Sequence, residues 1–259
     1  MKILALNSSP RPSDQSKTEL MLRHLLDGMR EAGACVESVN LRDKVVKNCI
    51  GCFTCWTKTP GVCIHQDDMT RELLPAWLES DIAVYATPLY NYGVNATLKT
   101  FLERTLPTAE PFFEIHNGRV FHPLRSKSPE IVVLSVAGLP EAAHFGPLSA
   151  HMQYMLASPG RRLMAEIYRP SSELLKSPAF KTKSKEIIEA TIQTGRELVK
   201  EGAVSPETLA LVTQPLIEPE ELVKMGNLMW RKLIDKGMSP NEFREKSMVF
   251  TPTPIDLRD

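Results

Sequence analysis

Four cysteines fall close together, Cys49, Cys52, Cys55 and Cys63, in the spacing C-x2-C-x2-C-x7-C. Thiolates at that density hold an iron–sulfur cluster, hold zinc, or act as free redox-active thiols. The two short gaps let three thiolates face one cubane, and Pro60-Gly61 can turn the chain to bring the fourth back. Zinc knuckles are normally two C-x2-C pairs set further apart than these. The residues by themselves leave all three open. Cys35 stands apart in a strand-like run and reads as a small buried apolar residue. His65, beside Asp67-Asp68, reads as a solvated loop residue.

A second group of polar side chains lies near the front of the chain, Asn7-Ser8-Ser9-Pro10-Arg11 and then Ser16-Lys17-Thr18-Glu19. Ser16 with Glu19 three residues on has the form of a capping box opening a helical pattern through Leu20, Met21, Leu25 and Met29. Capping alone would account for these two. Yet Ser8, Ser9, Arg11 and Lys17 gather before the same helix, where unpaired N–H groups and the positive dipole end favour an anion. Neither G-x-x-x-x-G-K-[ST] nor G-x-G-x-x-G occurs, which speaks against a nucleoside triphosphate or a dinucleotide. A hydroxyl-lined loop suits a terminal phosphomonoester. A third segment, Thr87-Pro88-Leu89-Tyr90-Asn91-Tyr92-Gly93, offers a stiff strand exit at Pro88, close backbone approach at Gly93, and a tyrosine, Tyr90 or Tyr92, to stack on a flat ring. The plain alternative is a turn with two surface tyrosines.

Five short apolar runs (2–7, 35–41, 81–87, 130–136 and 164–169) alternate with helical-period segments (about 16–32, 67–79, 95–105, 143–157 and 180–201). This alternation predicts βαβ units and an α/β fold. The runs 82–86 and 131–134 are continuously apolar, as strands buried on both faces are. The expected architecture is a flavodoxin-like, doubly wound, five-stranded parallel sheet in the order 2-1-3-4-5, with its ligand beyond the strand C-termini. The two polar loops belong there. The stretch 107–129 is long for a connection and carries Phe112-Phe113 and Val120-Phe121. Prolines at 206, 215 and 219 punctuate the C-terminal part of the chain, so 1–201 is read as the main domain and 202–259 as a helical extension with a Pro-rich tail.

The combination of motifs resembles the NADPH-dependent FMN reductase and iron–sulfur flavoprotein families of the flavodoxin-like superfamily. Ser9-Pro10-Arg11, the run Cys49 to Cys55, Asp67-Asp68-Met69, Thr87 to Tyr90 and Leu98 to Phe101 carry the resemblance, which covers about residues 1–195. It implies that Ser9, Arg11, Ser16, Lys17 and Thr18 hold the phosphate and ribityl end of FMN. Pro88, Leu89, Tyr90, Asn91 and Gly93 would border the isoalloxazine, and Ser135 and Gly138 would stand in a third loop that lacks the double glycine often seen there. Iron–sulfur members carry a compact four-cysteine motif, so Cys49, Cys52, Cys55 and Cys63 are the candidate ligands of a [4Fe–4S] cluster, with a longer final spacing. The implied activity is an FMN-dependent oxidoreductase taking electrons from NAD(P)H to a second acceptor; no protein side chain need act as catalyst, because the flavin carries the chemistry. The competing class is a non-enzymatic single-electron carrier or redox sensor, with an electron-carrier protein as partner. Relatives generally form homodimers or homotetramers.

With 31 basic and 31 acidic residues, nothing in the charge favours nucleic acid or an anionic membrane. The chain enters directly into Lys2-Ile3-Leu4 without a leader-like segment, and no apolar run approaches a membrane span. A cytoplasmic, reducing location is expected, in which clustered cysteines are poor candidates for disulfides.

Overall fold

The computed structural model describes residues 1–243. Its strands are β1 (Lys2–Asn7), β2 (Cys35–Asn40), β3 (Ile82–Pro88), β4 (Glu114–His116), β5 (Arg119–Phe121), β6 (Glu130–Val136) and β7 (Arg162–Arg169). Five of them form one parallel sheet in the order β2-β1-β3-β6-β7, and β4 and β5 pair apart from it. Counting only the sheet's own strands, the order is 2-1-3-4-5, the flavodoxin-like arrangement. β3 is buried along its whole length and β6 all but its first residue, which is why both read as unbroken apolar runs. Cys35 is exposed, contrary to expectation. It opens β2, an edge strand, pairing there with Lys2, so the sheet covers it on one side only.

Side chains of alternate strand positions feed two cores. One face packs Ile3, Val84, Val132 and Ile167 against α1 (Lys17–Glu31) and α5 (Lys181–Lys200); the other packs Leu4, Tyr85 and Val133 against α2 (Leu74–Glu79), α3 (Ala96–Glu103) and α4 (Gly146–Met155). Helices α1 and α5 approach until their backbones touch. A Cβ on Gly28 would lie 1.8 Å from the Ile192 carbonyl oxygen, and one on Gly195 would lie 2.1 Å from that of Leu25. Ahead of α2, residues Met69–Leu73 form a wider π-type turn, next to Pro75, which has no N–H to give the preceding turn.

The stretch 107–129 contains a hairpin not expected from the sequence, β4 against β5. Asn117 and Gly118 both take positive φ, 49° and 73°, the turn that matches strand twist in two-residue loops. The ring ladder Phe53, Trp56, His122, Phe113, with centroids 4.7 to 5.1 Å apart, ties it to the cysteine segment.

After α5, helix α6 (Pro206–Thr213) packs on α5 and β7, burying Val212, and Leu216 and Ile217 follow it into the interior. The Glu197 carboxylate accepts from Ser205 N at 2.8 Å and Thr208 Oγ1 at 2.7 Å, and buried Arg169 donates to the Val212 carbonyl. Helix α7 (Pro219–Lys236) buries Leu233 but leaves Leu228, Trp230 and Ile234 exposed. Of the expected Pro-rich tail, residues 244–259 lie outside those described.

Candidate functional site

The loop expected to hold the FMN phosphate, residues 8–16 with the first turn of α1 and here termed the phosphate loop, leaves β1 and enters α1 at the sheet's C-terminal edge, beside the β1/β3 switch point. The loop expected to border the ring, residues 87–93, is termed the ring loop. Ser16 caps α1, its Oγ accepting from Glu19 N at 3.0 Å, and it also donates to Ser9 Oγ at 2.8 Å. Only half of the expected capping box forms. Ser16 N is taken by the Pro12 carbonyl, and the Glu19 carboxylate turns to Asn7 Nδ2 and Arg42 Nη1, each at 3.1 Å. Asn7 Oδ1 in turn accepts from Ser9 N, so a network hidden from solvent fixes the hydroxyl pair. Asn95, the N-cap of α3, donates to the Ser8 carbonyl at 2.6 Å and lies within 3.4 Å of Thr87 Oγ1, clamping the phosphate loop to the ring loop.

In the ring loop, Tyr90 and Gly93 exchange both backbone hydrogen bonds, at 3.1 and 3.0 Å, around Asn91 and Tyr92 at φ 47° and 61°. Two non-glycine residues in that region mark a strained tip, the kind of backbone that concentrates at ligand sites. Gly93 itself is not where the backbone needs freedom: a Cβ there would meet only the Tyr90 oxygen, at 3.9 Å. Tyr92 turns toward His144, with rings 5.6 Å apart, and Tyr90 is the tyrosine that faces the cavity.

That cavity, of about 200 Å3, is lined by Ser9, Arg11, Lys17 and Thr18 from the first loop, Pro88, Leu89 and Tyr90 from the second, and Gly138 with its neighbours from the third. Ser16 lies beneath the lining, Asn91 and Gly93 lie in the ring-loop turn outside it, and Ser135 is fully buried with its hydroxyl unpartnered. Sequence reasoning missed Glu173. It sits on a short turn, Ser172–Leu174, that follows β7 through Ser171 at φ 50°. Its carboxylate contacts the Arg11 guanidinium and stands 3.7 Å from Lys17 Nζ. The clue was topological: β7 ends on the same edge as the other site loops.

The cysteines lie elsewhere, at the C-terminal end of α3. Cys49, Cys52, Cys55 and Cys63 line one hollow with Ile50, Phe53, Ile64, His65, Arg104 and Leu106. Burial pushes the Cys55 thiol up, and the other three thiols press in the same direction. The Cys52 thiol is lowered, chiefly by a hydrogen bond from Thr54. Among the described residues no three His, Cys, Asp or Glu side chains converge as a single metal ion requires. The floor is a buried ion pair. Arg104 Nη1 meets Asp67 Oδ2 at 2.7 Å and Nη2 meets Oδ1 at 3.0 Å, while Arg104 also donates to the Lys47 carbonyl and to Thr70 Oγ1. Burial opposes the Asp67 charge, but these donors outweigh it and bring its pKa down to about 2. One guanidinium thus ties both ends of the cysteine loop to α3. Two buried nitrogens on the wall, Arg104 Nε and His65 Nε2, have no hydrogen-bond partner. His65 is accordingly a wall residue of the hollow and not the solvated loop residue expected.

Residues 1–138 match the family described as NADPH-dependent FMN reductase, more than half of the chain, and the chain belongs to that family. It is 36% identical over 107 residues to an iron-sulfur flavoprotein of Methanocaldococcus jannaschii, covering 41% of this chain and 53% of that one. It is 37% identical over 107 residues to an iron-sulfur flavoprotein of Archaeoglobus fulgidus, covering 41% and 46%. The match thus spans about half the length of these relatives. Among solved structures, an azoreductase from Bacillus anthracis superposes with a TM-score of 0.55 at 18% identity, over 77% of this chain and 99% of that one, a likeness of fold.

Proposed function

We propose that this chain is an FMN-dependent oxidoreductase that accepts electrons from NAD(P)H and delivers them to a second acceptor. The observation that carries the reading is the convergence of three loops on one cavity at the C-terminal edge of a flavodoxin-ordered sheet, with cations and hydroxyls at one end and Pro88, Leu89 and Tyr90 at the other. Bound FMN would supply the hydride acceptance and release that no side chain here provides. The residues bind and orient: Ser9, Thr18, Arg11 and Lys17 at the phosphate and ribityl end, with Ser16 holding Ser9 from beneath, Pro88, Leu89 and Tyr90 along the ring, and Gly138 in the third loop. Ser135, buried within β6, supports that loop from behind.

Cys49, Cys52, Cys55 and Cys63 are assigned to a [4Fe–4S] cluster in the same proposal. Two features support this. The four thiols line one hollow, and its wall presents the buried Arg104 Nε–H and, in its Nε2–H tautomer, His65 as donors that cluster sulfurs would satisfy. No helix among the described residues is long and apolar enough to cross a membrane, and the cytoplasm is the proposed location. A homodimer or homotetramer is proposed as the working assembly, with the hairpin, whose Phe112, Phe113 and Ile115 are exposed, covering a neighbour's flavin. Deleting 108–124 is expected to weaken flavin retention through gel filtration; unchanged retention would remove that role.

The direct test is anaerobic purification followed by the absorption spectrum, iron and sulfide analysis, and steady-state NAD(P)H oxidation. Flavin bands, about four irons per chain and sustained turnover are expected. Bound flavin without turnover would favour the electron-carrier or sensor reading.

A further inference from the structure

We propose that Glu173 is an internal stand-in for the flavin phosphate, held on the phosphate's own cations and displaced when FMN binds, so that the flavin is exchangeable. The inference rests on the FMN reading of the cavity and concerns a residue outside the motifs that led to it.

Arg11 and Lys17 are the two cations of the phosphate loop, and one carboxylate contacts both. The Lys17 side chain is only 7% exposed, so its charge sits where an anion is needed close by. Glu173 reaches them from the turn after β7, its Cγ passing 4.0 Å from the point where a Cβ on Gly138 would stand. A second tether, Lys176 Nζ to the Asp14 carbonyl at 2.8 Å, lays the same turn against the phosphate loop. The cavity that results holds about 200 Å3, short of the roughly 300–1,000 Å3 common for small-molecule sites. Glu173 lines it and takes part of that space.

A phosphomonoester carries about −1.5 to −2 charges near pH 7 against one for a carboxylate. Both cannot sit on Arg11 and Lys17, because like charges repel strongly in a partly buried site. Entry of the phosphate therefore expels the carboxylate, and the return of the carboxylate assists release. Glu173 is 37% exposed on a surface turn, so it has solvent to move into. Such exchange suits a protein whose flavin leaves as a product or passes between partners.

The test uses the full-length chain stripped of flavin, wild type against Glu173→Gln, titrated calorimetrically with FMN and with riboflavin, which lacks the phosphate. Glu173→Gln is expected to bind FMN about tenfold tighter with slower dissociation, and riboflavin unchanged. Inorganic phosphate should raise the Tm of the stripped variant more than that of the wild type. Glu173→Ala, which leaves nothing to bond Arg11, should behave like Glu173→Gln and guards against a fault particular to the amide. Equal FMN affinity in variant and wild type would overturn the proposal. So would weaker binding of both flavins, which would make Glu173 an acceptor for the ribityl hydroxyls. If the wild type bound neither flavin, the FMN reading itself would fall and take this inference with it.

Discussion

The phosphate end of the first cavity and the cysteine hollow treat their polar groups in opposite ways. At the phosphate end the hydroxyls of Ser9 and Ser16 bond to each other, Asn7 holds Ser9, and Glu173 occupies Arg11 and Lys17. In the hollow, Arg104 Nε and His65 Nε2 are buried without partners. A site whose groups are satisfied by its own chain can be emptied and refilled at low cost. A site that leaves buried donors unpaired is destabilised until something fills it. On the readings proposed above, the contrast separates an exchangeable ligand from a resident one.

The sharpest way to break this contrast is to remove a thiol. Cys55→Ala, the most buried of the four, is expected to abolish bound iron and sulfide while FMN affinity stays within twofold; a parallel loss of flavin would mean the two sites are one unit. Next in size is the floor of the hollow. Asp67→Asn leaves Arg104 buried without its counter-ion and is expected to cost roughly 3–5 kcal/mol in urea unfolding at pH 7, with iron lost more readily than flavin. The wild type should show the matching pH dependence. The folded pKa of Asp67, about 2, lies below its ordinary 3.8, so this stabilisation is complete above about pH 4 and fades as pH falls toward 2, worth about 2 kcal/mol. Asp67→Asn should flatten that part of the profile. The smallest effect is at the phosphate end: Ser16→Ala is expected to lose about 1 kcal/mol of stability with the N-cap and to weaken FMN binding without altering iron content.

Much of this was legible in the sequence, because strands buried on both faces and helices with one apolar stripe announce themselves by period. The runs at 82–86 and 131–134, the cap at Ser16 and the first two loops that meet at the cavity came from patterns within a few residues, and the third loop came from the family resemblance. What stayed hidden depends on residues distant in sequence. Glu173 reaches Arg11 from the end of β7, past β6 and β3, Arg104 meets Asp67 from the C-terminal end of α3, and Asn95 finds Ser8 only because β1 and β3 are neighbours. The 114–121 hairpin went unread although Asn117-Gly118 is its usual turn, since its strands are three residues each and exposed on much of their surface. Cys35 was misplaced because periodicity cannot tell an edge strand from a central one.

Helix α3 also acts as a ruler. Its capping asparagine bonds the loop after β1 and its last turn borders the hollow, and its eight residues rise about 12 Å. One chain therefore has two doors set a helix apart. On the function proposed above, a nicotinamide nucleotide would stand at one while a second redox partner stands at the other, and neither would have to leave before its counterpart arrives.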